Sequence, residues 1–387
     1  MATLSSTLKS NGLSYLLMGG HIAVDMCQGG LAATLPFLIA AHGYSYAQIT
    51  LLVFMANIAS AVIQPLFGWL GDRRPRPWIM AAGVLLAGAG MAGVGVLPSY
   101  QLIALSACLC GVGIAMLHPE GGRLANLVAS GSKAGGMSIF SVGGQVGFCV
   151  GPMVAAASLS LFGLAGSLVF LVLCAPYALL LLAFNQRLAS FGLRDASAVA
   201  ASGGHDRWGA FALVLSTLSI RSVVFYALSS FAPLFVISFF GQTEEQASLM
   251  VSLLTLAGAV ATMLSSKFDA LLGTKRLMVT CFVVMVVGLV AFGFSPSLAA
   301  SCLLVVVLAF GINAFNPPAI ALGQSYVPQH LGMASGLSFG VAVCIGGVAA
   351  PGLGVLADAV GLQPVMLAVA GIAAMGLAAS LLVARLK

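Results

Sequence analysis

Long apolar stretches alternate with short polar ones along the whole of this 387-residue sequence. Each apolar stretch has about 20 residues or more, the length that an α-helix needs to cross the hydrocarbon core of a bilayer. The pattern predicts twelve membrane-spanning helices, at residues 14–39, 47–70, 78–97, 101–127, 134–159, 163–184, 210–239, 245–265, 275–294, 297–326, 333–357 and 364–383. The first stretch is too long for a cleaved signal peptide, so we expect the protein to retain it.

The composition supports this interpretation. Hydrophobic residues make up 60% of the chain and charged residues only 6%, whereas a soluble domain carries about 25% charged residues. This excludes a large soluble protein and predicts an all-α, multi-pass membrane protein. The eight cysteines lie in the predicted spans, where they suit packing better than disulfides. No metal-type spacing, nucleophile elbow or phosphate-binding loop is present, so we expect no cofactor, no metal and no enzymatic activity.

The basic residues predict the orientation, because Lys and Arg concentrate in cytoplasmic loops. If the N-terminus is cytoplasmic, nearly every Lys and Arg outside the spans lies on that side, while Glu244 and Glu245 lie outside. Both termini are therefore predicted to be cytoplasmic. The net charge of +6 then reflects orientation in the bilayer, and we expect no nucleic-acid partner.

The chain divides into two related halves. A polar segment rich in Ala, Ser and Gly, at residues 185–209, predicts a flexible cytoplasmic linker between six spans and six. Four motif pairs recur in order at an offset near 197: LPFLI and APLFV, GIAMLHP and GINAFNP, KAGGMS and HLGMAS, VGP and AAP. We therefore predict two pseudo-symmetric six-helix bundles, residues 1–185 and 210–387, joined by a linker at 186–209. This is the major facilitator architecture, in which substrate binds at the midplane between the halves.

The loop after the second span, PLFGWLGDRRPRP, resembles the signature loop of the major facilitator superfamily through Gly68, Asp72, Arg73 and Arg76. The resemblance implies that Asp72 caps the start of the eleventh helix. With Arg73, Arg76 and Arg123, it would form a latch that closes the cytoplasmic side.

Other stretches resemble the fosmidomycin-resistance family of efflux transporters. They are GHIAVDMCQGGLAATLPF, HPEGGRLANLVASG, FSVGGQVGFCVGP and VPQHLGMASGLSFGVAVCIGGVAAPGLGVLAD. This resemblance implies proton-coupled drug export across a bacterial inner membrane, with a small-molecule substrate and protons as ligands. We expect a monomer.

Ionisable residues inside predicted spans are candidates for function, since a charge near the bilayer centre costs about 3 kcal/mol or more. Five qualify: His21, Asp25, His118, Glu120 and Arg221. Asp25 lies near the middle of the first span and shares a helix face with His21 and Gln28. We predict that Asp25 binds the coupling proton, with His21 as its neighbour. The alternative is an ionised Asp25 that only fixes helix packing.

Arg221 lies in the seventh span, at a position that the repeat relates to the neighbourhood of Asp25. Its guanidinium group suits carboxylate and phosphonate groups. We predict that Arg221 anchors an anionic substrate and exchanges that contact for Asp25; a permanent Asp25–Arg221 pair would explain the same residues. The other residues predicted to contact substrate are Gln28, His118, Asn313, Asn316 and Tyr226.

Glu120 and Arg123 are three residues apart near the cytoplasmic end of the fourth span, a spacing that allows a pair. The pair could be a gate or a second proton station, or it could steady a helix that Pro119 kinks.

The fifth span carries small residues at four-residue spacing, namely Gly143, Gly147 and Gly151, followed by Pro152. Such a ridge allows close helix packing, and it partly resembles a glycine–proline motif linked to antiporters.

The predicted function is a proton-driven exporter of small amphipathic or anionic compounds that works by alternating access. The alternative is a proton-coupled importer of a small organic anion. In antiport, substrate and proton compete for Asp25, whereas in symport they bind together. A channel is less consistent with two related but unequal halves.

Overall fold

The computed structural model describes residues 2–129, 132–202 and 205–386, and all regular secondary structure among them is helical. The first half contains α1 to α7: Ala2–His42, Tyr46–Arg73, Trp78–Val96, Tyr100–Leu127, Lys133–Phe162, Leu168–Ala183 and Asn185–Ser202. The second half contains α8 to α15: Trp208–Phe240, Glu244–Leu272, Thr274–Gly293, Leu298–Asn313, Asn316–Tyr326, Leu331–Gly336, Ala342–Val360 and Leu362–Arg385. A 3₁₀ turn at Gly163–Ser167 joins α5 to α6, and a π turn at Leu337–Val341 joins α13 to α14.

Eleven helical stretches of the described residues are long and apolar enough to cross a membrane. Ten of the eleven each overlap one predicted span, and the remaining one, Lys133–Ala183, overlaps the fifth and sixth. Large apolar side chains such as Val62, Leu161 and Val355 are exposed, as lipid-facing positions require. The structure therefore confirms an all-α, multi-pass membrane protein.

Helix caps repeat with the same offset as the sequence motifs. Ser45 and Gln48 form a capping box at the start of α2, and Thr243 and Gln246 form one at the start of α9. Each pair satisfies two backbone N–H groups that the first helical turn leaves without a partner. The sequence repeat thus includes the local chemistry that starts corresponding helices.

The segment between the halves differs from the expectation of a flexible coil. Residues Asn185–Ser202 form α7, so this stretch has regular secondary structure; its flexibility stays a prediction. Its Ala, Leu and Arg residues favour helix strongly, and they outweigh the scattered Ser and Gly. Its role as a linker stays a prediction.

The described chain divides into two compact units. Unit 1 consists of Met1–Asp206 and Pro328–Gly340, and unit 2 consists of Arg207–Val327 and Val341–Lys387. In unit 1, α1 packs against α5, and α4 packs against α2 and α3. Helix α13 also belongs to unit 1, where it packs on α2. In unit 2, α8 packs against α14 and α15.

Glycines on α5 allow its backbone to approach that of α1 closely. A Cβ atom on Gly143, Gly147 or Gly151 would lie 2.4, 2.7 or 2.3 Å from a carbonyl oxygen of α1. Those oxygens belong to Met18, Ile22 and Met26, on successive turns of α1. Pro152 continues the contact beside Gly29. This packing fixes the helix turns that carry His21 and Asp25.

We expect Gly151→Ala to destabilise the protein by about 1–3 kcal/mol, because the added methyl group cannot fit without moving α1 or α5. The measurement is the midpoint of thermal unfolding of the purified protein in detergent. Gly371→Ala in α15 is the matched control, since a Cβ there meets no atom within 4 Å. Equal midpoints for the two variants would contradict a packing role for the α5 glycines.

Candidate functional site: a buried histidine–aspartate cluster

Two histidines and one aspartate converge in the interior of unit 1. His21 Nε2 lies 3.2 Å from Asp25 Oδ2, and His118 Nε2 lies 3.3 Å from Asp25 Oδ1. The two Nε2 atoms are 3.1 Å apart. The residues are only 3%, 3% and 6% exposed for His21, Asp25 and His118. We call these three residues the His–Asp cluster.

Backbone carbonyls fix which nitrogen of each histidine carries hydrogen. His21 Nδ1 lies 2.7 Å from the Phe140 carbonyl oxygen, and His118 Nδ1 lies 3.0 Å from that of Ile114. A carbonyl oxygen can only accept a hydrogen bond, so each Nδ1 is the donor. In a neutral imidazole the other nitrogen is then an acceptor. Both Nε2 lone pairs therefore point towards each other and towards a carboxylate.

Three acceptors at such short separations repel one another unless something positive lies between them. One added proton on the cluster supplies a donor and makes the net charge of two imidazoles and one carboxylate zero. Asp25 Oδ1 has no hydrogen-bond partner in the described structure although it is buried, so it can accept a further proton. A proton held among these three side chains would remove the repulsion; that the cluster exchanges a proton stays a prediction.

Aromatic rings enclose the cluster. Phe140 stacks on the His21 ring at a centroid distance of 4.2 Å. Phe339 lies 5.6 Å from the His118 ring and 6.0 Å from the His21 ring. Phe339 belongs to the π turn between α13 and α14, and π turns inside helices often occur at functional sites.

The cluster depends on helix packing that the sequence alone does not reveal. His21 and Asp25 are one turn apart on α1, as predicted, but His118 comes from α4, 97 residues away. We predicted His118 as a substrate ligand, and its contacts place it beside Asp25. Gly144 on α5 was missed: a Cβ there would lie 2.7 Å from His21 Nε2 and 2.8 Å from Asp25 Oδ2. Its only sequence signal is its place beside the glycine ridge.

Arg221 occupies a separate buried position in unit 2. Its Nε donates to the Ile312 carbonyl oxygen at 3.0 Å, and its Nη2 donates to Asn313 Oδ1 at 2.7 Å. The guanidinium also lies 5.6 Å from the Phe225 ring, which in turn contacts Tyr226. Each of these partners is uncharged. Among the described residues of unit 2, no carboxylate lies within ion-pair distance of Arg221.

The end of a helix holds Arg221 in place. Helix α11 ends at Asn313 and α12 begins at Asn316, followed by two prolines. The last carbonyls of a helix lack intrahelical donors and carry partial negative charge, so the Ile312 carbonyl can accept from Arg221. Asn313 is held by its Nδ2, which donates to the Ala309 carbonyl oxygen at 2.9 Å.

The remaining predicted substrate residue of the first half, Gln28, lies on α1. Its Nε2 donates to Asn57 Oδ1 at 2.8 Å, which joins α1 to α2. Contact of Gln28, Tyr226 or Asn316 with substrate stays a prediction.

Glu120 and Arg123 form the predicted pair. Two hydrogen bonds join them: Arg123 Nε to Oε2 at 3.0 Å and Arg123 Nη2 to Oε1 at 2.9 Å. Both side chains are buried, with Gly71 beside Glu120 and Gly192 of α7 beside Arg123. This two-bond geometry suits a stable pair, while a second proton station at Glu120 stays a prediction.

Asp72 caps the first turn of α13. Its Oδ1 accepts from the Gly332 N–H at 2.6 Å and its Oδ2 accepts from the Met333 N–H at 2.8 Å. Close approach of α2 and α13 makes this possible, since a Cβ on Gly68 would lie 2.2 Å from the Gly332 carbonyl oxygen. The capping that the signature-loop resemblance implies is therefore confirmed, and its role as a latch stays a prediction.

Two of the predicted partners of Asp72, Arg73 and Arg76, lie at the end of α2 and in the loop that follows it. The Arg73 guanidinium stacks over Trp69 at 3.7 Å from the ring centroid, and Arg76 is half-buried in the loop between α2 and α3. A second contact was missed: Asp206 accepts from the Gln329 N–H at 3.0 Å and pairs with His330. Residues 123 positions apart carry no sequence signal of such a contact.

We expect Asp72→Asn to weaken the start of α13 by about 1 kcal/mol, because the variant keeps one acceptor and loses the charge that favours a helix N-terminus. Amide hydrogen exchange over residues 328–340, followed by mass spectrometry, should then be faster than in the wild type. Asp269→Asn is the matched control, since Asp269 accepts from the Thr274 hydroxyl instead. Unchanged exchange in Asp72→Asn would show that the cap does not hold this segment.

Comparison with known proteins agrees with the fold and the signature loop. A family model described as the Major Facilitator Superfamily matches residues 17–239 and 210–387. This chain belongs to that superfamily. It is therefore a multi-pass membrane transporter of small molecules.

Two bacterial relatives match nearly the full chain. The Fosmidomycin resistance protein of Escherichia coli (strain K12) is 27% identical over 92% of this chain and 89% of its own. The MFS-type transporter YfnC of Bacillus subtilis (strain 168) is 26% identical over 94% of this chain and 90% of its own. The resemblance to the fosmidomycin-resistance family is thereby confirmed.

Solved structures of the superfamily share the fold. The proton:xylose symporter XylE has a TM-score of 0.75 and 14% identity over 97% of this chain and 95% of its own. The human organic anion transporter MFSD10 has a TM-score of 0.74 and 17% identity, covering 96% of this chain and 99% of its own. At such identities the likeness shows the fold alone.

Proposed function

We propose that this protein is a proton-coupled antiporter that exports small anionic or amphipathic compounds from a bacterial cell. The observation that carries the proposal is the His–Asp cluster, in which three buried acceptors converge within 3.1–3.3 Å. Such an arrangement needs a proton when closed and can release one when opened to water. We therefore propose the cluster as the coupling site.

The proposed topology has twelve crossings. The stretch Lys133–Ala183 has 51 residues, and at 1.5 Å per residue it would be about 75 Å long as one helix, more than twice the hydrocarbon thickness. The 3₁₀ turn at Gly163–Ser167 lies within it, which suits a reversal between two crossings. We further propose that both termini are cytoplasmic. The chain would then form two bundles, residues 1–185 and 210–387, joined by a linker at 186–209.

The proposed anion anchor is Arg221. Arg221 is 9% exposed and its guanidinium has only uncharged partners in its own unit, so burying this charge costs free energy. A carboxylate, phosphate or phosphonate on a substrate would offset that cost and form charge-assisted hydrogen bonds. The relative that is named for resistance to fosmidomycin supports export and supplies a first candidate substrate.

Proton release at the cluster would be coupled to substrate binding if a bound proton and a bound substrate exclude each other. In antiport the protein binds substrate when the cluster has released its proton, so the two ligands move in opposite directions. The alternative, a proton-coupled importer of an organic anion, uses the same residues but binds both ligands together.

The test uses the purified full chain in proteoliposomes with a pH-sensitive dye inside. Fosmidomycin and other small organic anions are added outside, and lumenal pH is followed together with substrate uptake. Antiport predicts that the lumen becomes more alkaline as substrate enters, since protons leave. A lumen that becomes more acidic would favour the importer, and substrate uptake without any change in pH would contradict proton coupling.

A further inference from the structure

The His–Asp cluster also has the geometry of a metal site. One donor atom from each of the three residues lies within 4.8 Å of the others. The two Nε2 atoms are 3.1 Å apart, and they lie 3.2 and 3.3 Å from different oxygens of Asp25. Ligands about 2.05 Å from a tetrahedral Zn²⁺ ion are separated by about 3.3 Å. The two Nε2 atoms are thus close to the separation that zinc requires, and a turn of the Asp25 carboxylate would supply the third corner of a tetrahedron.

The surroundings of the histidines match this chemistry. A histidine that binds metal through one nitrogen usually donates its other N–H to a carbonyl or carboxylate, which orients the ring. Here both Nδ1 atoms donate to main-chain carbonyls, those of Phe140 and Ile114. Both Nε2 lone pairs are thus directed inward, and Asp25 Oδ1 has no hydrogen bond to lose.

The backbone of α5 packs directly against the cluster. Gly144 faces His21 Nε2 and Asp25 Oδ2, and any side chain at this position would collide with both. Two histidines and one carboxylate are a common set of protein ligands for zinc. Sequence spacing offers no sign of this site, because His118 lies on another helix; our sequence-based expectation was that no metal binds.

We propose that the His–Asp cluster binds Zn²⁺ in place of the coupling proton and that the ion thereby blocks transport. With zinc the two neutral imidazoles and the carboxylate have a net charge of +1, which equals that of the cluster with two added protons. The zinc-bound cluster therefore has the charge of a protonated cluster, but it has no proton to release. The inhibitory part of this inference rests on the proposed function, whereas the binding part rests only on the donor geometry.

Binding is tested on the purified full chain in detergent, after removal of any histidine tag, by calorimetric titration with ZnCl₂. We expect one zinc site per chain, and no site for MgCl₂. His118→Gln and Asp25→Asn should each weaken zinc affinity by about tenfold or more, since changes even to outer partners of a metal site have effects of 10- to 100-fold. His42→Gln is the matched control, because His42 lies outside the cluster and stacks on Tyr44.

The thermal unfolding midpoint without zinc identifies variants that have lost their fold. If His118→Gln is unfolded, His21→Gln replaces it in the comparison. Wild-type affinity in a folded cluster variant, or no zinc binding to the wild type, would overturn the proposal.

Inhibition is then measured as substrate-driven proton movement in proteoliposomes with and without zinc. Zinc binding without any substrate-driven proton movement would contradict the proposed function but leave the metal site in place. Proton movement that zinc does not affect, in a protein that binds it, would overturn the inhibitory role.

Discussion

Replacing Asp25 by Asn is expected to abolish substrate-driven proton movement. Asp25 is the acid on which His21 and His118 converge, at 3.2 and 3.3 Å. Asparagine has nearly the same shape and its amide N–H can donate to one of the two imidazoles, but it carries no charge and does not exchange a proton near neutral pH. The proton flux measured in proteoliposomes should fall to that of protein-free vesicles.

Two further variants make this result specific. Asp358→Asn on α14 is the matched control, since Asp358 is exposed, and we expect it to transport protons as the wild type does. Glu120→Gln tests the other acid that is buried among the described residues of unit 1, whose pair with Arg123 favours a structural role. Proton movement that survives in Asp25→Asn and is lost in Glu120→Gln would move the coupling role to Glu120.

Replacing Arg221 by Gln is expected to raise the apparent KM for an anionic substrate by about 10- to 100-fold. A hydrogen bond to a charged group contributes about 1.5–3 kcal/mol, and each 1.4 kcal/mol is a factor of ten in affinity. Arg221→Lys should restore part of the affinity, because a lysine keeps the charge but lacks the planar fork. The measurement is the concentration dependence of substrate uptake.

A change at a neighbour provides an independent test of the same charge. Asn313→Asp would place a carboxylate where the amide oxygen now accepts from Arg221 at 2.7 Å. The cation would then be neutralised, so affinity for anions should fall although Arg221 is unchanged. Arg207→Gln is the matched control, since Arg207 is exposed and faces Tyr326. Wild-type KM in both Arg221→Gln and Asn313→Asp would contradict anion anchoring.

Much of the fold follows from patterns that are local in sequence. Apolar runs predicted every described membrane-length stretch, because the bilayer imposes the length of its helices. The offset of the repeat returned in the caps at Ser45 and Thr243. Helix α7 was missed because its composition was interpreted as a whole, whereas its helix-forming residues are concentrated before Ser202.

The candidate site was only half predictable. Helix periodicity placed His21 beside Asp25, and i, i+3 spacing placed Glu120 beside Arg123, because a helix fixes both separations. His118 could not be assigned to Asp25, since its position depends on how α4 packs against α1. The surroundings of Arg221 depend on where α11 ends. The two prolines after Asn316 are consistent with that helix end, but alone they did not predict its contact with Arg221.

The most direct test of proton coupling at Asp25 is proton release on substrate binding. Purified protein in weakly buffered detergent solution is mixed with substrate, and a pH dye reports free protons, with binding measured in parallel by calorimetry. The antiport account predicts that the wild type releases protons as substrate binds, and that Asp25→Asn binds substrate without release. Equal release from both proteins, or binding to the wild type without release, would contradict it.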